Sequence, residues 1–177
     1  MKIDSMKFYN GSCEKIARLG MSDMLFELLN ILMNTRIFLE EKKDANSGKV
    51  VRQQIDLMLE DAQYWVKTVT GDLDWVKSKK TSPATTIKMG VEIQMSARSD
   101  LVIRDLLHMR ESMKQGKIEI AVLVVPSDKM SRFLPDRAPS LSESLRYVEK
   151  EFEEIQQFPL VLISVEHDGS GEACLVR

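Results

Sequence analysis

Asp74, in Leu73-Asp74-Trp75-Val76, and Glu92, in Val91-Glu92-Ile93-Gln94-Met95, are carboxylates set into segments that read as strands. Adjacent strands can bring two such side chains together at one end of a sheet. The pair of hard oxygens is then a donor set that Mg²⁺ accepts while keeping several waters. A phosphate would complete the shell, and a metal so placed orients and deprotonates a water for in-line attack on phosphorus. Acidic residues on strands are more often solvated edge charges, so the pattern alone favours that plainer reading.

Other chemistries have little to work with. The two histidines, His108 and His167, are far apart in sequence, which leaves no multi-histidine zinc site and few ways to assemble a Ser-His-Asp or Cys-His arrangement. Cys13 and Cys174 form no CxxC pair and read as reduced, structural thiols. Any metal must therefore be held by carboxylates. A formal net charge of -2 gives no global basic field, so nucleic-acid contact has to come from local patches. The eleven methionines are most simply core filler.

The surrounding elements must position those carboxylates. With 177 residues, 44% hydrophobic and 29% charged, the chain suits one soluble globular domain. No apolar run approaches a membrane span and no leader pattern opens the chain, so a cytoplasmic protein is expected. Met24, Leu25, Leu28, Leu29 and Leu32 mark a helix capped by Ser22 or Asp23, followed by a β-leaning piece at 36–39 and a loop at 40–48. Val51, Ile55, Leu59, Ala62 and Val66 predict a second helix running to about 68–71.

Past Gly71 the pattern predicts a short strand at 73–76, a turn-rich tract from Lys77 to Pro83, and a longer strand at 85–95 with Gly90 as a bulge. Alternation there puts Glu92 and Gln94 on one face and Val91, Ile93 and Met95 on the other. A helix follows from Ser99 or Asp100 to Gly116, then a buried strand at 118–125 and a loop with three prolines at 126–140. A helix with the stripe Leu145, Val148, Phe152 and Ile155 and a last buried strand at 160–165 complete the order. His108 is expected on a helix near a dimer contact, and His167 at a strand end on the surface.

An Asp, then a hairpin, then an apolar-flanked Glu-x-Gln resembles the PD-(D/E)xK nuclease site in the variant used by BglII-type restriction endonucleases, where glutamine takes the usual lysine position. The likeness extends through Met1-Lys2-Ile3-Asp4, Tyr9-Asn10, the Asp74-Trp75-Val76-Lys77 and Val91-Glu92-Ile93-Gln94 strands, the Arg104 helix and the 120–125, 140–158 and 159–163 segments. BamHI-type relatives share the arrangement, with Glu for Gln and an Arg-Asp pair like Arg104-Asp105. The resemblance implies an α/β (α+β) restriction-endonuclease-like core, a central mixed β-sheet flanked by helices. It also implies one domain over 1–177, with a helical part at 1–70 and a catalytic core at 71–177.

By that resemblance Asp74 and Glu92 hold a catalytic Mg²⁺, the Ile93 carbonyl is a third ligand, and Gln94 sits beside the attacking water. Eighteen positions separate Asp74 from Glu92, more than in BglII-type enzymes, which leaves Asp72 as an alternative to Asp74. Glu60, Asp61 or Gln63 on the second helix would be the supporting residue, although surface solvation is the better reading of each.

Lys77, Lys79, Lys80, Lys88 and Arg98 form a basic run that the resemblance turns into phosphate contacts. Arg104 falls where relatives contact guanine in the major groove, and Arg137 is the chosen reader in the proline-rich loop. The expected activity is type II site-specific cleavage of double-stranded DNA at a short palindrome by a homodimer, since two-fold symmetry in the DNA calls for it in the protein. A less specific nuclease with the same core and a catalytically lapsed DNA-binding module are the competing readings.

Overall fold

The sheet is organised around two strands that are apolar along almost their whole length, β6 (Ile120–Pro126) and β7 (Leu160–Glu166). Strands covered on both faces need no alternation, and both are buried throughout except at Glu166. The computed structural model describes residues 1–68, 73–95, 100–135, 138–151 and 157–171. The sequence positions Asp72, Arg98 and Arg137, and the Phe152 and Ile155 part of the last helical stripe, lie outside the described residues.

Six strands form one mixed sheet in the order β1-β7-β6-β5-β4-β3, where β1 is Lys2–Tyr9, β3 Trp65–Lys67, β4 Trp75–Lys80 and β5 Thr86–Ile93. The inner pairs β5·β6 and β6·β7 are parallel, and β1, β4 and β3 join antiparallel. A small parallel pair, β2 (Phe38–Leu39) with β8 (Gly169–Ser170), lies apart. Helices α1 (Ser12–Leu19), α2 (Ser22–Asn34) and α3 (Gly48–Asp61) pack on one face. Their Met24, Leu28, Leu32, Ile55 and Leu59 join the odd-numbered β5 side chains Val91 and Ile93. On the other face α4 (Asp100–Lys114) contributes Val102, Leu106 and Met109 against Leu123, Val125 and Leu162. Two shorter helices, α5 (Asp128–Ser131) and α6 (Leu141–Arg146), are capped by the hydroxyls of Ser127 and Ser140, and α6 continues into a π-helical turn at Tyr147–Glu151.

The mixed sheet with helices on both faces is the fold class expected. Several element boundaries differ from the sequence reading. The second helix stops at Asp61, Tyr64 turns the chain with φ 69°, and Val66 lies exposed on the edge strand β3 rather than on a helical stripe. The Lys77 to Lys80 tract is the body of β4, in unbroken register with β5 from Trp75↔Val91 to Lys80↔Thr86. Residues 1–70 supply both edge strands as well as three helices. His167 is buried, not superficial, with Nε2 3.0 Å from Glu41 Oε1, while His108 is half-buried on α4.

That continuous register also removes the bulge expected at Gly90, which pairs with Val76 in line. Space is tight there: a Cβ would lie 2.8 Å from Ile118 Cδ1 and 2.9 Å from Leu73 Cδ1, so both side-chain tips would have to shift. Gly90→Ala should therefore cost about 1–3 kcal/mol by overpacking. Urea unfolding checks this, and an unchanged midpoint would mean that both neighbours move aside without strain.

Candidate active site

The parallel strands end together, and β5 carries Glu92 and Ile93 to that end before Gln94 continues the strand by donating its N–H to the Val124 carbonyl at 2.8 Å. Asp74 precedes β4, level with the end of β5 because the hairpin register pairs Trp75 with Val91. The Ile93 N–H donates to Asp74 Oδ2 at 2.7 Å, which ties the two segments. Asp74, Glu92, Ile93 and Gln94 line one cavity of about 360 Å³, with Arg52 and Lys49 from α3 and Arg104 and Asp105 from α4 on its other walls. The end of a parallel sheet where helices from both faces approach is a recurrent place for a site.

Two of these acids share too little solvent to carry two charges. Glu92 is buried, and burial, a hydrogen bond to Asp74 and the charges of Asp74 and Asp105 push its carboxyl up to about 11. Burial acts on Asp74 in the same direction. It is outweighed by hydrogen bonds from Glu92 and Arg52, the Arg52 charge and the Ile93 N–H, so Asp74 stays below the usual carboxylate range. A proton shared by the pair is thus favoured on Glu92. Asp105, buried and near Asp74, is raised by burial, with Arg104 partly offsetting that. Its Oδ2 accepts from Gln94 Nε2 at 2.9 Å, which fixes the glutamine amide, and its Oδ1 lies 3.5 Å from Arg104 Nη2.

The sequence alone does not single out Arg52. It sits one turn into α3 with Nε donating to Asp56 Oδ1 at 2.8 Å and Nη1 donating to both Asp74 Oδ2 at 2.8 Å and the Ile93 carbonyl at 2.5 Å. Asp56 is itself fixed by Trp75 Nε1 at 2.9 Å and Lys67 Nζ at 3.2 Å. The helix residue that supports the carboxylates is therefore a cation. Glu60 pairs instead with Lys67, and the Gln63 carbonyl accepts from Lys77. The one sequence signal for Arg52 was its i,i+4 spacing to Asp56.

Among the basic residues, Arg104 reaches the cavity with its side chain well exposed. Lys79, Lys80 and Lys88 do not. Lys79 and Lys80 lie at the far end of the β4–β5 hairpin, opposite Ile87 and Thr86, and Lys88 lines a different hollow with Ser78 and Lys117. Lys79 donates to the Gly20 carbonyl and Asp23 Oδ2, both at 2.7 Å, and Lys77 is buried against Glu27.

Among the described residues no three His, Cys, Asp or Glu side chains gather to hold a metal, so the donor set is two carboxylates and a backbone carbonyl. That set fits a hard divalent cation. Its oxygens suit Mg²⁺, and the doubled charge would let Glu92 ionise beside Asp74.

A family model, Restriction endonuclease BamHI, matches residues 30–174 and so takes in every element that lines the cavity. The chain belongs to the BamHI restriction endonuclease family. No curated protein matches it. Membership makes this chain a restriction endonuclease by family, a nuclease with DNA as its substrate class. No helix among the described residues is long and apolar enough to cross a membrane.

Proposed function

We propose that this member of the BamHI family is a Mg²⁺-dependent type II endonuclease that hydrolyses phosphodiester bonds in both strands of a short DNA palindrome, acting as a homodimer. The observation that carries the reading is the convergence of Asp74, Glu92, the Ile93 carbonyl and Gln94 in one cavity, where a cation would offset the burial that raises the Glu92 carboxyl. Residues 1–177 act in it as one catalytic domain, a reading supported by a sheet that draws strands from both ends of the chain. A place in a restriction-modification system and a cytoplasmic location go with that activity.

In this reading Asp74, Glu92 and the Ile93 carbonyl hold the cation, which supplies Lewis-acid activation of a water and charge neutralisation at the phosphate. Glu92 would serve there as the ionised second carboxylate donor, its proton passing to solvent. Gln94 is neutral at all working pH values, so it orients the water through its amide rather than taking its proton. Asp105 keeps that amide from rotating. Arg104, at the cavity wall, reads a guanine edge, and Lys49 joins it at the phosphates. Arg98 and Arg137 remain proposed contacts, and Lys79, Lys80 and Lys88 would meet only backbone remote from the scissile bond.

Digestion of a long unmethylated duplex with Mg²⁺ or EDTA, followed by end sequencing, tests the reading. Discrete fragments that need Mg²⁺ are expected, whereas a smear would point to a less specific nuclease. Arg104→Ala should reduce discrimination at one base pair by about 1–3 kcal/mol while lowering nonspecific affinity much less. Unchanged discrimination among substrates with single-base changes would remove Arg104 from the readers. The position of Arg52 on the metal's own oxygens favours a second reading, a lapsed site that only binds DNA; binding without any Mg²⁺-dependent cleavage would support it.

A further inference from the structure

The Arg52 guanidinium lies where the chemistry of the site needs a divalent ion. Nη1 is 2.8 Å from Asp74 Oδ2 and 2.5 Å from the Ile93 carbonyl oxygen, so it holds oxygens of two of the three donor groups available to a metal. Mg²⁺ would take such oxygens at about 2.0–2.1 Å, and Ca²⁺ at about 2.3–2.6 Å. An ion chelated by both of these oxygens would lie against the guanidinium that already bridges them, and the two positive charges would repel. The arrangement also differs from a simple structural ion pair, in which the arginine would be enclosed by its partners. Here the side chain lines an open cavity and is anchored at its other end, where Nε donates to Asp56 Oδ1 at 2.8 Å. Asp56 is braced by Trp75 and Lys67, so it stays in place if Nη1 lets go. The guanidinium is thus held at Nε by Asp56 and at Nη1 by the candidate metal donors.

We propose that Arg52 is an internal stand-in for the metal, a cation that holds the Asp74 and Ile93 oxygens when no divalent ion is bound and swings into the cavity about its Asp56 anchor when one binds. The inference rests on the reading of Asp74, Glu92 and Ile93 as metal donors. Arg52 then does two things. It keeps the donors assembled without metal, and it sets a threshold for metal entry, since each binding event must displace it. By linkage the same coupling acts both ways: whatever Arg52 contributes to the metal-free site is subtracted from metal affinity. Once displaced, the guanidinium remains in the cavity, within reach of the phosphate oxygens that the carboxylates repel.

The test is Ca²⁺ binding by calorimetry to the wild type, Arg52→Met and Glu92→Gln, with melting curves in EDTA. Arg52→Met should bind Ca²⁺ about tenfold more tightly than the wild type and melt lower in EDTA, and Glu92→Gln should bind it much more weakly. Equal or weaker Ca²⁺ affinity in Arg52→Met, with Glu92-dependent binding intact in the wild type, overturns the stand-in and leaves the metal site standing. No Ca²⁺ binding by either protein overturns both, and makes Arg52 the permanent occupant of a lapsed site. Should Arg52→Met fail to fold, arginine side-chain NMR of the wild type decides. Ca²⁺ should shift and free the Arg52 Nη signals while the Nε proton keeps its Asp56 bond, and Nη signals indifferent to saturating Ca²⁺ refute the exchange.

Discussion

In EDTA, Glu92→Gln should melt no lower than the wild type at pH 7.5, yet with Mg²⁺ it should cut DNA at least about a thousandfold more slowly. The two halves of this result come from one cause. Without metal the buried Glu92 is protonated, and a glutamine of the same shape replaces a neutral acid that donates to Asp74 with a neutral amide that can do the same. With metal the wild-type acid ionises and becomes a ligand, which the amide cannot match in charge. Single-turnover cleavage beside melting curves separates the effects. A large drop in melting temperature without metal would mean that Glu92 is ionised in the folded protein, and near-normal cleavage would remove it from the ligands.

The pH dependence has a definite sign. The folded Glu92 holds its proton up to about 11, whereas in the unfolded chain an ordinary Glu loses it near about 4.3. A carboxyl raised on folding contributes stability that is fully present below the unfolded value and is lost as pH rises toward the folded one. The metal-free wild type therefore loses stability relative to Glu92→Gln across the neutral range, and the gap between their melting temperatures widens with pH. Asp74 works the other way, since its lowered carboxyl contributes stability above about 3.9 that disappears as pH falls.

How much of this was legible in the sequence depended on whether the deciding force was local. Helix α4 has its stripe and the terminating Gly116 at φ 67° within one short stretch, and its span was read almost to the residue. The face assignment of β5 followed from period-two alternation, and so did the placing of Glu92 and Gln94 together. The errors lie where a distant partner decides. Lys77-Ser78-Lys79-Lys80 has a loop's composition, but pairing with β5 and burial of the Lys77 stem against Glu27 make it a strand. Val66 fitted a helical stripe only because one residue per turn extends any stripe by chance, and the edge of the sheet claimed it. For β1 the apolar residues give no clean period of two: the half-buried face carries Ile3, Ser5, Lys7 and Tyr9 while Met6 and Phe8 lie exposed, so pairing with β7 makes it a strand.

The site divides along the same line. Asp74, Glu92, Ile93 and Gln94 were named from a motif, and they do meet in one cavity. Arg52 could not be chosen among the polar residues of its helix, because only the packing of α3 against the sheet aims it at the strand ends. Asp105 was seen as half of an Arg-Asp pair, and its grip on the Gln94 amide became visible only with α4 in place. The basic run failed as an active-site wall for a geometric reason. A hairpin that puts Asp74 level with Glu92 must carry residues five and six positions later to its other end.

Asp74 should behave unlike Glu92 when removed. Asp74→Ala should abolish cleavage and also destabilise the metal-free protein by about 2 kcal/mol, or about 4–8 °C in melting temperature. Its carboxylate is the acceptor for the Ile93 N–H at 2.7 Å and for Arg52 at 2.8 Å, so truncation strands a backbone donor and a guanidinium in a partly buried place. Asp74→Asn keeps an acceptor oxygen there and should recover most of the stability but little of the cleavage. Retained cutting in Asp74→Ala would hand the metal-binding role to Asp72. Because Arg52 and Asp74 depend on each other, Asp74→Ala combined with Arg52→Met should cost less than the sum of the two changes, by about 0.5–3 kcal/mol. Strict additivity would show that the ion pair contributes nothing to the assembled site. A clear shortfall would establish that Arg52 and Asp74 are coupled in the metal-free protein.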